Sequence, residues 1–246
     1  MGEKGPLRRY VRESRALKRD YPRSFHPLQL VVTYPRWRRC LTGGVDALED
    51  QQPWITFSAI RFLDRFLTRD MRVFEYGTGG STLYFARRVD HVVSVEHDGI
   101  WLDRVADAMS GNGLSNRTHR LIHQEDSGSH PHQDPADPDS YTSSDPSLRE
   151  KSFRQYASAI DGYGDGYFDL VLVDGRARPS CFKHAVAKEG GGGCVLWDNT
   201  DRPHYRKAMD LAPPGYRLVD FPGPSPYVPF FTRTTGWIVP DAGPGG

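Results

Sequence analysis

Apolar runs and helix-like stretches alternate along most of this 246-residue chain, and this alternation restricts the fold more than any other feature. Phe168–Asp174 and Cys194–Trp197 are nearly continuous apolar runs, which are typical of strands buried on both faces. A helix-compatible segment, Pro179–Lys188, lies between them. Parallel strands need such a crossover segment, so the pattern predicts a mostly parallel sheet with helices on both faces.

The same alternation extends over residues 50–240. Further strands are predicted at Met71–Tyr76, His91–Glu96, Thr118–His123, Tyr216–Phe221 and Thr234–Val239, and further helices at Ser81–Val89 and Ile100–Met109. Only a proline-rich loop separates the last two strands, so they must be antiparallel. We therefore predict one doubly wound α/β domain of seven strands that ends in an antiparallel hairpin.

Three segments stand apart from the 50–240 domain. Residues 1–49 are predicted to form a basic arm with a helix, because residues 1–40 hold eleven Lys/Arg and three Asp/Glu. The helix either packs on the domain or recruits an anionic partner. Residues 126–148 are rich in Ser, Asp and Pro, which indicates a polar insertion or lid. Residues 241–246 are predicted to be a flexible tail.

Composition excludes several classes of protein. The net charge is +1 and 26% of residues are charged, and the apolar runs are far shorter than the roughly 20 residues that span a membrane. No apolar segment follows the basic N-terminus as in a secretory signal. The three cysteines form no CxxC pair, which favours a reducing compartment. We expect a cytoplasmic protein without a membrane span, and the sequence leaves homo-oligomer formation open.

A glycine-rich loop follows the first predicted strand within Val73–Thr82, VFEYGTGGST. Glycines at a strand-to-helix turn let the backbone approach a ligand closely. Thr82 stands where the dinucleotide fingerprint G-x-G-x-x-G needs its last glycine, which argues against a nicotinamide dinucleotide. Glu75, two residues before the first glycine, would repel a pyrophosphate but suits a ligand with a cationic amino group.

Acidic residues also follow the next two predicted strands. Glu96 ends the second strand, where a carboxylate can accept both hydroxyls of a ribose. Glu125 or Asp126, just after the third strand, is a candidate to receive the amino group of an adenine. A ligand with a cationic amino group, a ribose and an adenine but no phosphate is S-adenosylmethionine.

Together these motifs resemble a class I S-adenosylmethionine-dependent methyltransferase over about residues 50–240. The resemblance lies in the block E-x-G-x-G-x-S, in Glu96, in FDLVLVD and in the final hairpin. It implies a Rossmann-like sheet of order 3-2-1-4-5-7-6 with strand 7 antiparallel. It also implies that one loop surrounds the methionine end of the cofactor, through Glu75, Gly77, Thr78, Gly79 and Ser81, while Glu96 holds the ribose.

Oxygen-bearing side chains end the fourth and fifth predicted strands: Asp174, Asp198 and Asn199. They are similar to the metal-binding set of catechol O-methyltransferase-like enzymes and to the acidic set of macrolide-type sugar O-methyltransferases. Such ligands suit Mg²⁺, which would orient an acceptor hydroxyl and lower its pKa. The catechol-type lysine three residues after the first aspartate is absent, because Ala177 stands there. Alternatively, Asp174 contacts the cofactor or caps a helix, and Asp198-Asn199 forms a turn.

The predicted function is S-adenosylmethionine-dependent O-methylation of a small molecule, with Mg²⁺ as a further cofactor. Asp174, Asp198 and His204 are the candidate catalytic residues, with His204 as a base unless it only begins a surface helix. One alternative is methylation of RNA or protein recruited by the basic arm, although no N/D-P-P-Y-type motif follows FDLVLVD. Another is a cofactor-binding domain without activity.

Overall fold

Seven strands form the main sheet in this computed structural model, which describes residues 5–127, 134–148 and 150–240. They are β1 Arg72–Tyr76, β2 His91–Glu96, β3 Arg117–Leu121, β4 Phe168–Val173, β5 Glu189–Asp198, β6 Arg217–Pro224 and β7 Phe231–Ile238. The spatial order is β3-β2-β1-β4-β5-β7-β6. The pairs from β3 to β5 are parallel, whereas β7 is antiparallel to both β5 and β6. The predicted fold class and strand order are confirmed.

Helices cover both faces of this sheet. They are α1 Pro6–Asp20, α2 Pro27–Thr42, α3 Phe57–Phe66, α4 Gly80–Ala86, α5 Gly99–Gly111, α6 Arg154–Ala157, α7 Arg178–Ala185 and α8 Arg206–Met209. Among the described residues, no helix combines the length and the apolar character needed to cross a membrane.

Alternate residues of the central strands supply two separate cores. On β4, Leu170 and Leu172 pack into the core that α1–α5 cover, whereas Val171 and Val173 pack into the core that α6–α8 cover. Successive side chains of a strand point to opposite faces, so a strand between two helical layers must be apolar throughout. This burial accounts for the continuous apolar run in the sequence.

The basic arm lies against the domain. Tyr10 and Leu17 of α1 are buried, and the Tyr10 hydroxyl donates to the Leu30 carbonyl at 2.8 Å. From α2, the Trp37 indole N–H donates to the Val228 carbonyl at 3.1 Å. Four arginines of α1 are exposed, namely Arg8, Arg12, Arg15 and Arg19. Residues 1–4 and the predicted tail 241–246 lie outside the described residues.

Part of the polar insertion is also packed. Residues 128–133 and 149 lie outside the described residues, but Tyr141 and Ser143 are buried. The Tyr141 backbone N–H donates to the Ser180 hydroxyl of α7 at 3.1 Å. A short antiparallel pairing of Glu125–Asp126 with Lys151–Ser152 closes the base of the insertion.

The fifth strand is longer than the sequence indicated. The glycines at 190–193 were predicted to follow a helix ending at Lys188, yet α7 ends at Ala185 and β5 already begins at Glu189. The register of β4 with β5 shifts between Phe168 and Leu170. Glycines inside a strand commonly mark such an irregularity, because they allow two backbones to approach closely.

Candidate active site

Two glycines bring the ends of β1 and β4 together. Gly77 has a φ of +94°, in the left-handed region that favours glycine. A Cβ at Gly77 would lie 3.3 Å from the Gly175 Cα, and one at Gly175 would lie 2.0 Å from the Tyr156 hydroxyl. Gly175 was not predicted as a site residue, although its position directly after the strand-ending Asp174 is visible in the sequence. The two glycines let these chain segments pack closely, and the backbone of both lines a cavity.

Glu75 lies beneath the glycine loop. Its side chain is fully buried and accepts hydrogen bonds from the hydroxyls of Ser81 and Ser94, both at 2.7 Å, and of Thr82. Burial raises the pKa of Glu75 to about 7, although these hydrogen bonds oppose the rise. Glu75 therefore fastens β1 to β2 and α4, and it lines none of the cavities described below.

Glu96 ends β2 at the edge of a cavity and accepts several hydrogen bonds. Its Oε2 accepts from the Thr78 backbone N–H at 3.1 Å and the Thr78 hydroxyl at 3.2 Å. Its Oε1 accepts from the backbone N–H groups of His97 and Asp98 and from the His97 ring at 2.6 Å. Burial by itself raises the pKa of Glu96, but the hydrogen bonds outweigh it and lower the pKa. Glu96 is therefore ionised at neutral pH.

The Glu96 cavity has a volume of about 430 Å³. Its lining includes Gly77, Thr78, Glu96, Trp101, Tyr156 and Asp174. The Trp101 indole N–H donates to the Thr78 carbonyl at 2.8 Å, which fixes the ring beside the glycine loop. The cavity is thus lined by aromatic rings, by glycine backbone and by an ionised carboxylate.

A second cavity, the Asp198 cavity, has a volume of about 400 Å³. Its lining includes Trp54, Gly79, Ser81, Asp198, Arg202 and Phe230. Thr78, Trp101, Asp174 and Arg178 line both cavities, so the two are adjacent. They meet at the carboxyl ends of β1 and β4, where the strand order reverses and ligands of open α/β sheets bind.

Arg178 joins the ends of β4 and β5, and its guanidinium makes four hydrogen bonds and an ion pair. Nε donates to the Gly175 carbonyl at 2.9 Å. Nη1 donates to the Asp198 carbonyl at 2.9 Å and to Asn199 Oδ1 at 3.2 Å. Nη2 donates to the Asp174 carbonyl at 2.9 Å and pairs with Asp174 Oδ1 at 2.9 Å. The guanidinium is therefore surrounded by protein oxygens at the ends of both strands.

This arrangement does not support the Mg²⁺ site predicted at Asp174, Asp198 and Asn199. The guanidinium of Arg178 already supplies positive charge to the oxygens that would bind the metal. In the described part of the chain, no group of three His, Cys, Asp or Glu side chains is arranged to hold a metal ion. We therefore assign no metal to this position.

The carboxyl groups of Asp174 and Asp198 both have raised pKa values. Asp198 is 2% exposed and accepts from the Thr234 hydroxyl at 2.5 Å and from the Asn199 amide at 2.6 Å. Burial, with the charge of Asp174, raises the pKa of Asp198 to about 7 against the opposing charge of Arg178. Burial also raises the pKa of Asp174, again against Arg178.

The structure does not bring the other candidate residues to these cavities. Asp126 is exposed and pairs with Lys151 at 2.6 Å, and Glu125 lies in the short pairing at the base of the insertion. His204 lines neither cavity, and its Nε2 is buried without a hydrogen-bond partner among the described residues. By contrast, the predicted residues Gly77, Thr78, Gly79, Ser81, Glu96, Asp174, Asp198 and Asn199 line one or both cavities.

Comparison with known proteins gives structural but not sequence matches. No protein-family model and no curated protein sequence matches the chain. A crystal structure named a "putative O-methyltransferase" from Klebsiella pneumoniae matches with a TM-score of 0.53 and 16% identity, over 96% of this chain and 99% of that chain. SMU.1697c, named a "putative methyltransferase" from Streptococcus mutans and solved in complex with SAH, matches with a TM-score of 0.49 and 8% identity, over 74% of this chain and 96% of that chain. TrmN from Thermus thermophilus matches at 0.48 and 15% over 74% and 48%. The Klebsiella match shows the Rossmann-like methyltransferase fold.

Proposed function

We propose that the protein is an S-adenosylmethionine-dependent methyltransferase that methylates a hydroxyl group of a small molecule. The main observation in support of the proposal is the Glu96 cavity, which is lined by an ionised carboxylate and by the backbone of Gly77 and Gly175. Its volume of about 430 Å³ lies within the range of small-molecule sites, roughly 300–1,000 Å³. The rings of Trp101 and Tyr156 offer flat apolar surface to a nucleoside.

Glu96 is the proposed partner of the ribose hydroxyls. Its five existing donors already exceed the roughly four acceptor positions of a carboxylate. A ribose hydroxyl therefore binds Oε2 by replacing the Thr78 hydroxyl, which can rotate away, while the backbone bonds hold the carboxylate in place. Glu96 is preorganised by its neighbours and keeps its charge.

Asp174 is the proposed partner of the cationic end of the cofactor. Its side chain is 23% exposed at the junction of the two cavities, and negative charge there attracts an ammonium or sulfonium group. When bound, S-adenosylmethionine supplies an electrophilic methyl group, which passes to the acceptor oxygen and leaves S-adenosylhomocysteine. Arg178 limits the charge of Asp174 and holds its orientation.

Asp198 is the proposed proton acceptor for the hydroxyl that is methylated. It lines the second cavity, and a pKa of about 7 matches the requirement for a base at neutral pH. The carboxylate takes the hydroxyl proton while Arg178 supplies the positive charge that a metal provides in other sites. Trp54 and Phe230, both about half exposed, line the same cavity and offer apolar surface to the acceptor.

Methylation of RNA is the second candidate, because α1 presents the arginines Arg8, Arg12 and Arg15 on one exposed surface. Phosphate contacts of this kind make binding strongly salt-dependent. Replacing all three arginines by glutamate should then abolish RNA binding, whereas small-molecule methylation should be unchanged. Retention of full small-molecule activity in this variant distinguishes the two functions.

Calorimetry and radiolabelled methyl transfer test the proposal together. The protein should bind S-adenosylmethionine and S-adenosylhomocysteine but not NAD⁺. With labelled cofactor it should methylate a member of a panel of catechols, sugars and hydroxy acids, in EDTA as well as in buffer. Asp198→Asn should keep the S-adenosylhomocysteine affinity and lose turnover, and the wild-type rate should rise as the pH passes 7. Asp210→Asn, which changes an exposed aspartate outside these cavities, is the control.

Two results would contradict the proposed function. The first is the absence of any heat of binding with either nucleoside on folded protein. The second is full turnover by Asp198→Asn with an unchanged pH profile, which would remove Asp198 from its role as proton acceptor.

A further inference from the structure

We infer that the methyl acceptor carries a carboxylate or phosphate group, which Arg202 binds in a third cavity next to the site. This inference deepens the proposed function and rests on it. The third cavity, the Arg202 cavity, has a volume of about 290 Å³ and is lined by Ser143, Ser144, Arg176, Arg178, Arg202 and Tyr205, among others. It shares Arg178 and Arg202 with the Asp198 cavity, so a group bound here lies beside the proposed proton acceptor.

Arg202 forms no ion pair with a carboxylate among the described residues, although its charge acts on Asp174 from a longer distance. Nη2 donates to Asn199 Oδ1 at 2.7 Å and Nη1 donates to the Tyr205 hydroxyl at 3.1 Å, and both of these acceptors are neutral. Within the described ranges, no carboxylate oxygen lies within 4.0 Å of its guanidinium. Two of its five N–H groups are used and three remain for a ligand. Arg178, by comparison, makes four hydrogen bonds and pairs with Asp174.

The remaining lining adds further positive charge and hydroxyl groups. Three guanidinium groups line the cavity against one carboxylate, Asp145, which pairs with Arg176 at 3.1 Å. Ser143 is 3% exposed and Ser144 lies beside it, so two hydroxyls accompany the cations. Arginine with hydroxyl donors is the usual receptor for planar carboxylates and for phosphates. The serines and Asp145 belong to the polar insertion, which thereby forms one wall of the subsite.

The position of Arg202 explains why an anion here belongs to the acceptor. Gly175, Arg176 and Arg178 line both the Arg202 cavity and the Glu96 cavity, which is the proposed nucleoside site. Arg202 itself lines the Asp198 and Arg202 cavities but not the Glu96 cavity. An anionic group that contacts Arg202 itself, and not only Arg176 or Arg178, therefore lies beside the cavity that Asp198 lines. The acceptor hydroxyl would then reach the carboxylate that removes its proton.

Titration of inorganic phosphate and of acetate, at constant ionic strength, into protein saturated with S-adenosylhomocysteine tests the inference. At least one of the two anions should bind the wild type. Arg202→Gln should weaken that anion by about tenfold or more, because a charged hydrogen bond is lost. Asp145→Asn should strengthen it, because Arg176 is released from its carboxylate. Arg206→Gln, an exposed arginine four positions along the chain, is the matched control and should leave binding unchanged.

The outcomes separate the sources of the anion and the two proposals. Phosphate binding that depends on Arg202 supports a phosphorylated acceptor, and acetate binding that depends on Arg202 supports a carboxylated one. Binding of neither anion, or equal binding by the wild type and Arg202→Gln, overturns the inference. Asp145→Asn keeps the test valid if Arg202→Gln fails to fold. If S-adenosylhomocysteine binds but neither anion does, only this inference fails; if S-adenosylhomocysteine does not bind, the proposed function fails instead.

Discussion

Replacing Arg178 by methionine should strongly destabilise the protein, because the guanidinium is the common partner of two strand ends. Its side chain is 13% exposed and that of Asp174 is 23% exposed, so solvent screens the pair only weakly. Removing one partner of a buried ion pair costs about 3–5 kcal/mol. Arg178→Met also leaves the carbonyls of Asp174, Gly175 and Asp198 without this donor. We therefore expect a loss of roughly 3–5 kcal/mol in the free energy of unfolding at pH 8.

Urea denaturation followed by tryptophan fluorescence measures this loss. Asp174→Asn added to Arg178→Met removes the unpaired charge, so the double variant should recover part of the stability. The loss in Arg178→Met should also shrink as the pH is lowered from 8, because burial raises the pKa of Asp174 and a protonated carboxyl needs no cation. Arg206→Met controls for the loss of an exposed arginine. A loss below about 1 kcal/mol, or one independent of pH, would refute the reasoning.

Three further predictions concern the metal, the glycine contact and a buried acid. EDTA and Mg²⁺ should leave the wild-type Tm and activity unchanged, because Arg178 occupies the oxygen ligands; a rise of Tm with Mg²⁺ would contradict this. Gly175→Ala should lower stability by about 1–3 kcal/mol in urea, because its Cβ would lie 2.0 Å from the Tyr156 hydroxyl; unchanged stability would disprove the close contact. Burial raises the pKa of Glu189 from 4.5 to about 8, so between these pH values the folded state holds a proton that the unfolded state has released. The free energy of unfolding should therefore decrease as the pH rises from about 4.5 to about 8. Glu189→Gln should flatten that fall in urea midpoints measured from pH 5 to pH 9, and an unchanged slope would exclude Glu189.

The strand pattern was readable from the sequence because it depends on burial alone. In β4, residues on both faces are apolar, so Phe168–Val173 could be recognised without knowing its neighbours. The bounds of β5 could not be predicted in the same way. Its start at Glu189 depends on a register shift against β4, and glycines carry no burial signal.

The site was only partly readable for a different reason. Aspartates at strand ends indicate a cluster of oxygens, but the cation that satisfies them depends on where a long side chain points. Arg178 lies four residues after Asp174, at the first position of α7, and reaches back across the strand ends. Sequence spacing suggested Mg²⁺, whereas the folded chain supplies a guanidinium.

Glu75 shows a similar limit. It was predicted to face the cofactor because of its distance from the glycines in the sequence, yet its carboxylate is fully buried below the loop. Its neighbours Phe74 and Tyr76 fill one core, so Glu75 points to the opposite face, where three hydroxyls meet it. The alternation of the strand decides which acidic side chain reaches a ligand.

The most direct test of the account is the affinity for S-adenosylhomocysteine of the wild type, of Glu96→Gln and of the control Asp103→Asn, measured by calorimetry. Asp103 is exposed on α5, away from the cavities. We predict that Glu96→Gln loses about 1.5–3 kcal/mol, or roughly 10- to 150-fold in Kd, through weakened ribose hydrogen bonds, while Asp103→Asn binds as the wild type does. Equal affinity of the wild type and Glu96→Gln would contradict the account.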